Sequence, residues 1–158
     1  MEIQFKMLTT RAKVTLPITS PITPRFKNFS MINTRIKRLR ELMTERNIDA
    51  YIVCTNDFHG SEYVGEYFKE REYMSGFTGS AGTLLVTMRE ALLWTDGRYF
   101  IQAEKQLEGS NILLMKMGCE GVPGISEYLE REMEENAVIG FDARTVTSDF
   151  AMKLNRFT

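Results

Sequence analysis

A single histidine, two cysteines and one tryptophan leave this 158-residue chain poor in the side chains that build metal centres and disulfide frameworks. With His59 alone, no two-histidine zinc site can form. A serine–histidine–acid triad would have to recruit His59, and no Gly-x-Ser-x-Gly elbow supplies the nucleophile. Cys54 and Cys119 stand far apart in sequence, whereas a disulfide framework or zinc knuckle needs four or more ligands at short spacing. Both are expected as reduced, buried thiols. Long apolar runs are also missing, which excludes a membrane-spanning helix. Nothing in the chain assembles a complete active site.

Residues 1–30 contain no glycine and three of the four prolines. Pro17, Pro21 and Pro24 interrupt every stretch that might serve as the apolar core of a secretory signal, so a cytoplasmic location is expected. Lys6, Arg11, Lys13, Arg25 and Lys27 face Glu2 alone, which makes this segment +4 and the remaining 128 residues −5. An acidic domain offers no footprint for nucleic acid, whose phosphates require a lysine and arginine surface. Residues 1–30 are read as a flexible or upstream-translated extension, and 31–158 as one domain with Met31 a plausible start.

The rest of the chain is strongly patterned. Ile32, Ile36, Leu39 and Met43 share one stripe, which predicts a helix over 32–46 with Asn47 as its C-cap. Its basic outer face is interrupted by Glu41 and Glu45 and reads as solvated, not as a membrane surface. Residues 49–54 form a short apolar run suited to a buried strand. Residues 82–87 and 91–95 predict an antiparallel hairpin across Met88-Arg89-Glu90. A helix follows, N-capped by Asp96 and closed near Gly109, then a strand at 112–117. A helix carrying Ile125, Tyr128, Leu129 and Met133, a strand at 137–141 and a helix over 147–157 complete the set. The predicted class is α/β, a mixed β-sheet with helices on its faces.

The glycine-rich segment from Ser75 to Gly82 is the natural place to look for phosphate binding. A P-loop, however, places lysine and then serine or threonine after its last glycine and opens a helix, while this segment continues into Thr83-Leu84 and a strand. It reads as a structural turn. Trp94 and Phe77 are expected in the core. Asp96 and Arg98 either orient a carboxylate or cap a helix start, and capping is favoured. Glu134 and Glu135 are read as solvated.

Three stretches carry a resemblance. Asn56-Asp-Phe-His-Gly-Ser-Glu-Tyr63, Ser75-Gly-Phe-Thr-Gly-Ser-Ala-Gly-Thr83 and Leu93-Trp-Thr-Asp-Gly-Arg-Tyr-Phe-Ile-Gln-Ala103 resemble the amino-terminal domain of Xaa-Pro aminopeptidases (aminopeptidase P), of the creatinase and prolidase superfamily. The match runs from about Met31 to Thr158 and points to the longer cytosolic type. Phe58 and Gly60 stand where the family usually has proline and glutamine. The resemblance implies a ribonuclease-H-like fold, no catalysis in this chain, and no cofactor in it. The family's two divalent metals, usually manganese, belong to a carboxy-terminal catalytic domain. It implies peptide substrates with proline second and homo-oligomer contacts; from charge and composition, neither nucleic acid nor membrane is expected as partner. The alternative is a free-standing module of the same fold that binds peptides or proteins. The substrate-cleft candidates are His59, Arg71 and Tyr99: His59 in a loop after the first buried strand, Arg71 just before the glycine segment, Tyr99 at a helix start.

Overall fold

The computed structural model describes residues 4–7, 28–57, 59–61, 63–147, 149, 150 and 152; for 4–7 and 28–30 only the backbone is described. Helix α1 (Asn28–Glu45) buries Ile32, Ile36 and Met43, the stripe predicted from their spacing. It begins before Met31. The helix ends in a Schellman motif: Ile48 N–H donates to the Met43 carbonyl (2.9 Å) and Asn47 N–H to that of Thr44 (3.2 Å). Asn47 takes the left-handed conformation this requires, with φ 52°.

The chain then enters β2 (Ala50–Cys54), which follows an edge strand β1 (Gln4–Met7) in chain order. A short helix α2 (Glu70–Ser75) precedes the hairpin of β3 (Thr83–Thr87) and β4 (Ala91–Thr95). Helix α3 (Phe100–Leu107), β5 (Leu113–Lys116), α4 (Ile125–Glu132) and β6 (Val138–Phe141) follow. The six strands are ordered β1-β6-β2-β3-β4-β5. The pairs β2–β3 and β3–β4 are antiparallel, and β1–β6, β6–β2 and β4–β5 are parallel. This is the mixed sheet expected, with every strand of the sequence reading present.

Three elements were not legible. Strand β1 lies in a segment without hydrophobic period, because a four-residue edge strand is recruited by backbone pairing with β6 and needs no amphipathic pattern. Helix α2 and the 3-10 turn at Glu66–Phe68 are too short to show a period. Of the last predicted helix, Asp149, Phe150 and Met152 are helical, and the rest of that expectation lies outside the described residues.

Strand alternation sorts the core onto two faces. Val53, Leu84, Val86, Ala91 and Leu93 pack with Phe77 against α1 and α3. Ala50, Ile52, Leu85, Leu92, Trp94, Ile139 and Phe141 pack against Tyr128 and Leu129 of α4. All five residues of β4 are buried, as a central strand covered on both faces demands. Trp94 and Phe77 are both core residues, and the indole N–H donates to the Pro123 carbonyl at 2.8 Å. The two thiols are free, but only Cys54 is even partly buried. Cys119 is exposed, a correction to the expected burial, because it falls in the turn after β5 between Gly118 and Gly121, both at positive φ.

Candidate functional site

At the end of the sheet where β2 finishes and β3 begins, the chain leaves an open cleft of about 390 Å³. Three of its sides come from segments singled out in the sequence. Asn56, Gly60 and Ser61 belong to the first, Ser80 to Thr83 to the glycine-rich second, and Arg98 to the third. Cys54 and Thr55 form the floor, and Thr145 to Thr147 with Phe150 close the fourth side. The described lining is rich in hydroxyls, with one amide and one guanidinium and no carboxylate.

Each side has a local reason for its shape. Asp57 accepts the N–H groups of Ser61 (3.0 Å) and His59 (2.9 Å), folding the first segment into an Asx turn. Those bonds, that of Ser61 foremost, hold the Asp57 carboxyl below the usual carboxylate range. Asp96 accepts from Arg98 N–H (3.0 Å), Nε (3.0 Å) and Nη2 (2.9 Å). The side-chain bond with Arg98 is the main reason its carboxyl also sits low. The helix itself starts at Phe100, so Asp96 caps the turn that enters α3 and not the helix proper. Just before the fourth side, and outside the cleft lining, Asp142 grips Arg144, which donates to Tyr67 Oη at 2.7 Å. Burial pushes the Asp142 carboxyl up, but the bonds from Arg144 outweigh it and leave the group below its ordinary value.

The glycine wall wraps the buried Phe77 ring. Gly76 ends α2 in the left-handed conformation at φ 73°. Gly79 lies so close to Phe77 that an added Cβ would stand 2.3 Å from Cζ, with Tyr99 Cδ1 at 2.9 Å. Any side chain there would have to push one of these rings aside. The segment is therefore the structural turn its grammar indicates, and it leads into a strand.

The three candidates from sequence are placed as follows. His59 is exposed in the Asx-turn loop, beside Gly60. Tyr99 is half-buried, its ring edge-to-face on Phe77 at 6.0 Å and its hydroxyl 2.7 Å from Ser80 Oγ. Arg71 is 3% exposed, behind the glycine wall, where its guanidinium bonds Thr55 and two loop carbonyls. None of the three lines the cleft itself, and each neighbours a residue that does. Thr55, Thr145 and Thr147 were missed. Their signal, small hydroxyl residues at the ends of apolar runs, is also the signal of an ordinary turn. Cys54 is on the floor, and burial pushes its thiol up to about 11, so it is protonated at neutral pH.

Among the described residues, no three histidine, cysteine, aspartate or glutamate side chains converge to hold a metal ion. The resemblance places its dinuclear metal pair in a catalytic domain, and the donors among the described residues here do not fit such a pair. No described helix is long and apolar enough to cross a membrane.

A mixed six-stranded sheet, covered by helices on both faces and opening at one strand end into a glycine-walled polar cleft, defines an α/β domain of the creatinase N-terminal class. The chain belongs to the creatinase/prolidase N-terminal domain family, which it matches over residues 35–157. It is 47% identical over 121 residues to a protein of Paracoccidioides brasiliensis named "Probable Xaa-Pro aminopeptidase P", covering 77% of this chain and 20% of that protein. Among solved structures it resembles X-prolyl aminopeptidase from Caenorhabditis elegans, described as a cytosolic enzyme with a dinuclear active site. There the TM-score is 0.73 and the identity 38%, over 78% of this chain and 22% of that one. The N-terminal domain of the cytoplasmic peptidase PepQ from Mycobacterium tuberculosis matches at TM-score 0.54 and 29% identity, covering 79% of this chain and 85% of that one. The chain spans about a fifth of the length of the curated relatives it matches.

Proposed function

We propose that this chain is the non-catalytic amino-terminal domain of a cytoplasmic, metal-dependent Xaa-Pro aminopeptidase. In that enzyme it borders the path of peptides with proline second and contributes to contacts between copies of the chain. The observation that carries this reading is the convergence of all three motif segments on one cleft. Its volume falls in the range of small-ligand sites. Hydroxyls, an amide and backbone groups suit the alternating donors and acceptors of a peptide main chain. Bond cleavage, and the manganese pair the family uses for it, belong to a catalytic domain; what this domain supplies is orientation and restricted entry.

The test uses the chain itself. Purified protein with manganese and a fluorogenic Xaa-Pro peptide is expected to show no turnover, because one histidine and dispersed carboxylates cannot lower the pKa of a metal-bound water. Titration with alanyl-prolyl-alanine is expected to shift the backbone amide signals of Asn56, Ser61 and Ser80 to Gly82. Turnover that survives repurification and disappears in His59→Ala, or an absence of shifts at the cleft, overturns the proposal.

A further inference from the structure

Arg71 combines three properties that a solvated helix residue does not have. It is 3% exposed. Its guanidinium donates to Thr55 Oγ1 through Nε (2.6 Å), to the Phe77 carbonyl through Nη1 (2.5 Å) and to the Gly79 carbonyl through Nη2. Every one of these acceptors is neutral. Among the described residues no carboxylate bonds it, and a buried cation held this way persists where its fork of donors satisfies groups that would otherwise be stranded. Burial lowers its pKa to about 10, so it stays charged at neutral pH.

The bonds radiate to nearly every second residue of the glycine wall. The Arg71 carbonyl accepts from Ser75 Oγ (2.7 Å), which itself accepts from Phe77 N–H (3.1 Å). The guanidinium holds Phe77 and Gly79 directly and sits over the Phe77 ring, 4.7 Å from its centroid. Thr55 Oγ1, which receives the Nε proton, passes its own to the Gly82 carbonyl at 3.0 Å. Ser80 and Ala81, which line the cleft, lie between the tied points Gly79 and Gly82, and Gly82 lines it too. A planar fork with a fixed angle between donors reaches these acceptors at once, and a lysine ammonium, as a point charge on a flexible stem, does not.

We propose that Arg71 is the positioning residue of the cleft: it sets the glycine wall in the shape that receives ligand, without touching the ligand. In this scheme Thr55 is its relay. The functional part of the inference takes the cleft as the peptide-facing site proposed above, whereas the effect on the wall requires no peptide.

The experiment compares the full chain with Arg71→Lys, Thr55→Val and a core control on the opposite face of the sheet, Leu85→Ala. Backbone amide exchange is followed by NMR. In Arg71→Lys and Thr55→Val, exchange at residues 77–82 is expected to rise at least tenfold more than at β3 and β4. In Leu85→Ala the two regions are expected to rise together. The dissociation constant for alanyl-prolyl-alanine is expected to rise at least fivefold in both cleft variants and less than twofold in the control. If Arg71→Lys restores wild-type exchange and affinity, charge alone matters and the proposal is wrong. It is equally wrong if the wall and the strands loosen in proportion in Arg71→Lys and Thr55→Val. Thr55→Val keeps the test decisive should Arg71→Lys fail to fold. A wild-type chain that does not bind the tripeptide while the exchange pattern holds would sink the peptide reading and leave Arg71 as organiser of the wall.

Discussion

The β3–β4 hairpin and the strand-end cleft beside it are parts of one sheet, yet different physics holds them. The hairpin is apolar on both faces, with Leu84, Leu85, Leu92, Leu93 and Trp94 buried. Its stability is a matter of area and fit, which are non-directional. The cleft is built from side chains gripping backbone: Arg71 on Phe77 and Gly79, Thr55 on Gly82, Thr95 on Ala81, Asp57 on Ser61. Such bonds add little net stability each but fix direction. The core can therefore tolerate substitution that keeps volume, whereas the cleft depends on which atom is where.

The sharpest way to break this comparison is at the hairpin. Trp94→Ala should cost about 3–5 kcal/mol, as removal of a buried aromatic usually does, read as a fall in the midpoint of denaturant unfolding. An unchanged midpoint would show that the indole does not carry the core.

Gly79→Ala probes the glycine wall. The added methyl meets Phe77 and Tyr99 at 2.3 and 2.9 Å, so overpacking of about 1–3 kcal/mol is expected. Calorimetry should show the loss, and fluorescence of Trp94, on the opposite face from Phe77, should stay the same in the folded state. Altered Trp94 emission would mean that the two regions are not separable.

Acidification tests the polar side of the comparison. Asp142 has its folded pKa held below the unfolded value, so its contribution is present at neutral pH. It is lost as pH falls through the carboxylate range toward the lower folded pKa. Asp142→Asn should therefore cost about 1 kcal/mol at pH 7, as for a partly buried pair near the surface, and the difference from wild type should close on acidification. A gap that persists below the carboxylate range would contradict the pairing with Arg144.

The smallest effect on stability is expected from thiol labelling, which still separates the regions. At pH 7.5 a maleimide should modify exposed Cys119 and leave Cys54 intact, since burial keeps the latter protonated. Mass spectrometry of the digested protein gives the answer, and rapid labelling of Cys54 would show a cleft floor far more open than described.

Much of the hairpin was legible because periodicity reports burial directly. The spacing of Ile32, Ile36 and Met43, the runs 82–87 and 91–95, and Asn47 at a helix end each carry their own local cause, and each appears where expected. The motif segments were equally visible, but not the cleft they make. Thr55, Ser80, Arg98 and Thr145 lie up to 90 positions apart, and only the closing of the sheet brings their strand ends together. Arg71 shows the limit most clearly. In sequence it is a charged residue in a polar stretch, read as facing a ligand, and the structure places it 3% exposed with its donors turned to the backbone. Local pattern and turn chemistry determined the elements, the two apolar faces and the glycine turn, because those depend on neighbours in the chain. Tertiary packing alone decided the cleft, the recruitment of the period-free edge strand β1 and the inward turn of Arg71, because burial and hydrogen-bond partners at a strand end are set by residues distant in sequence.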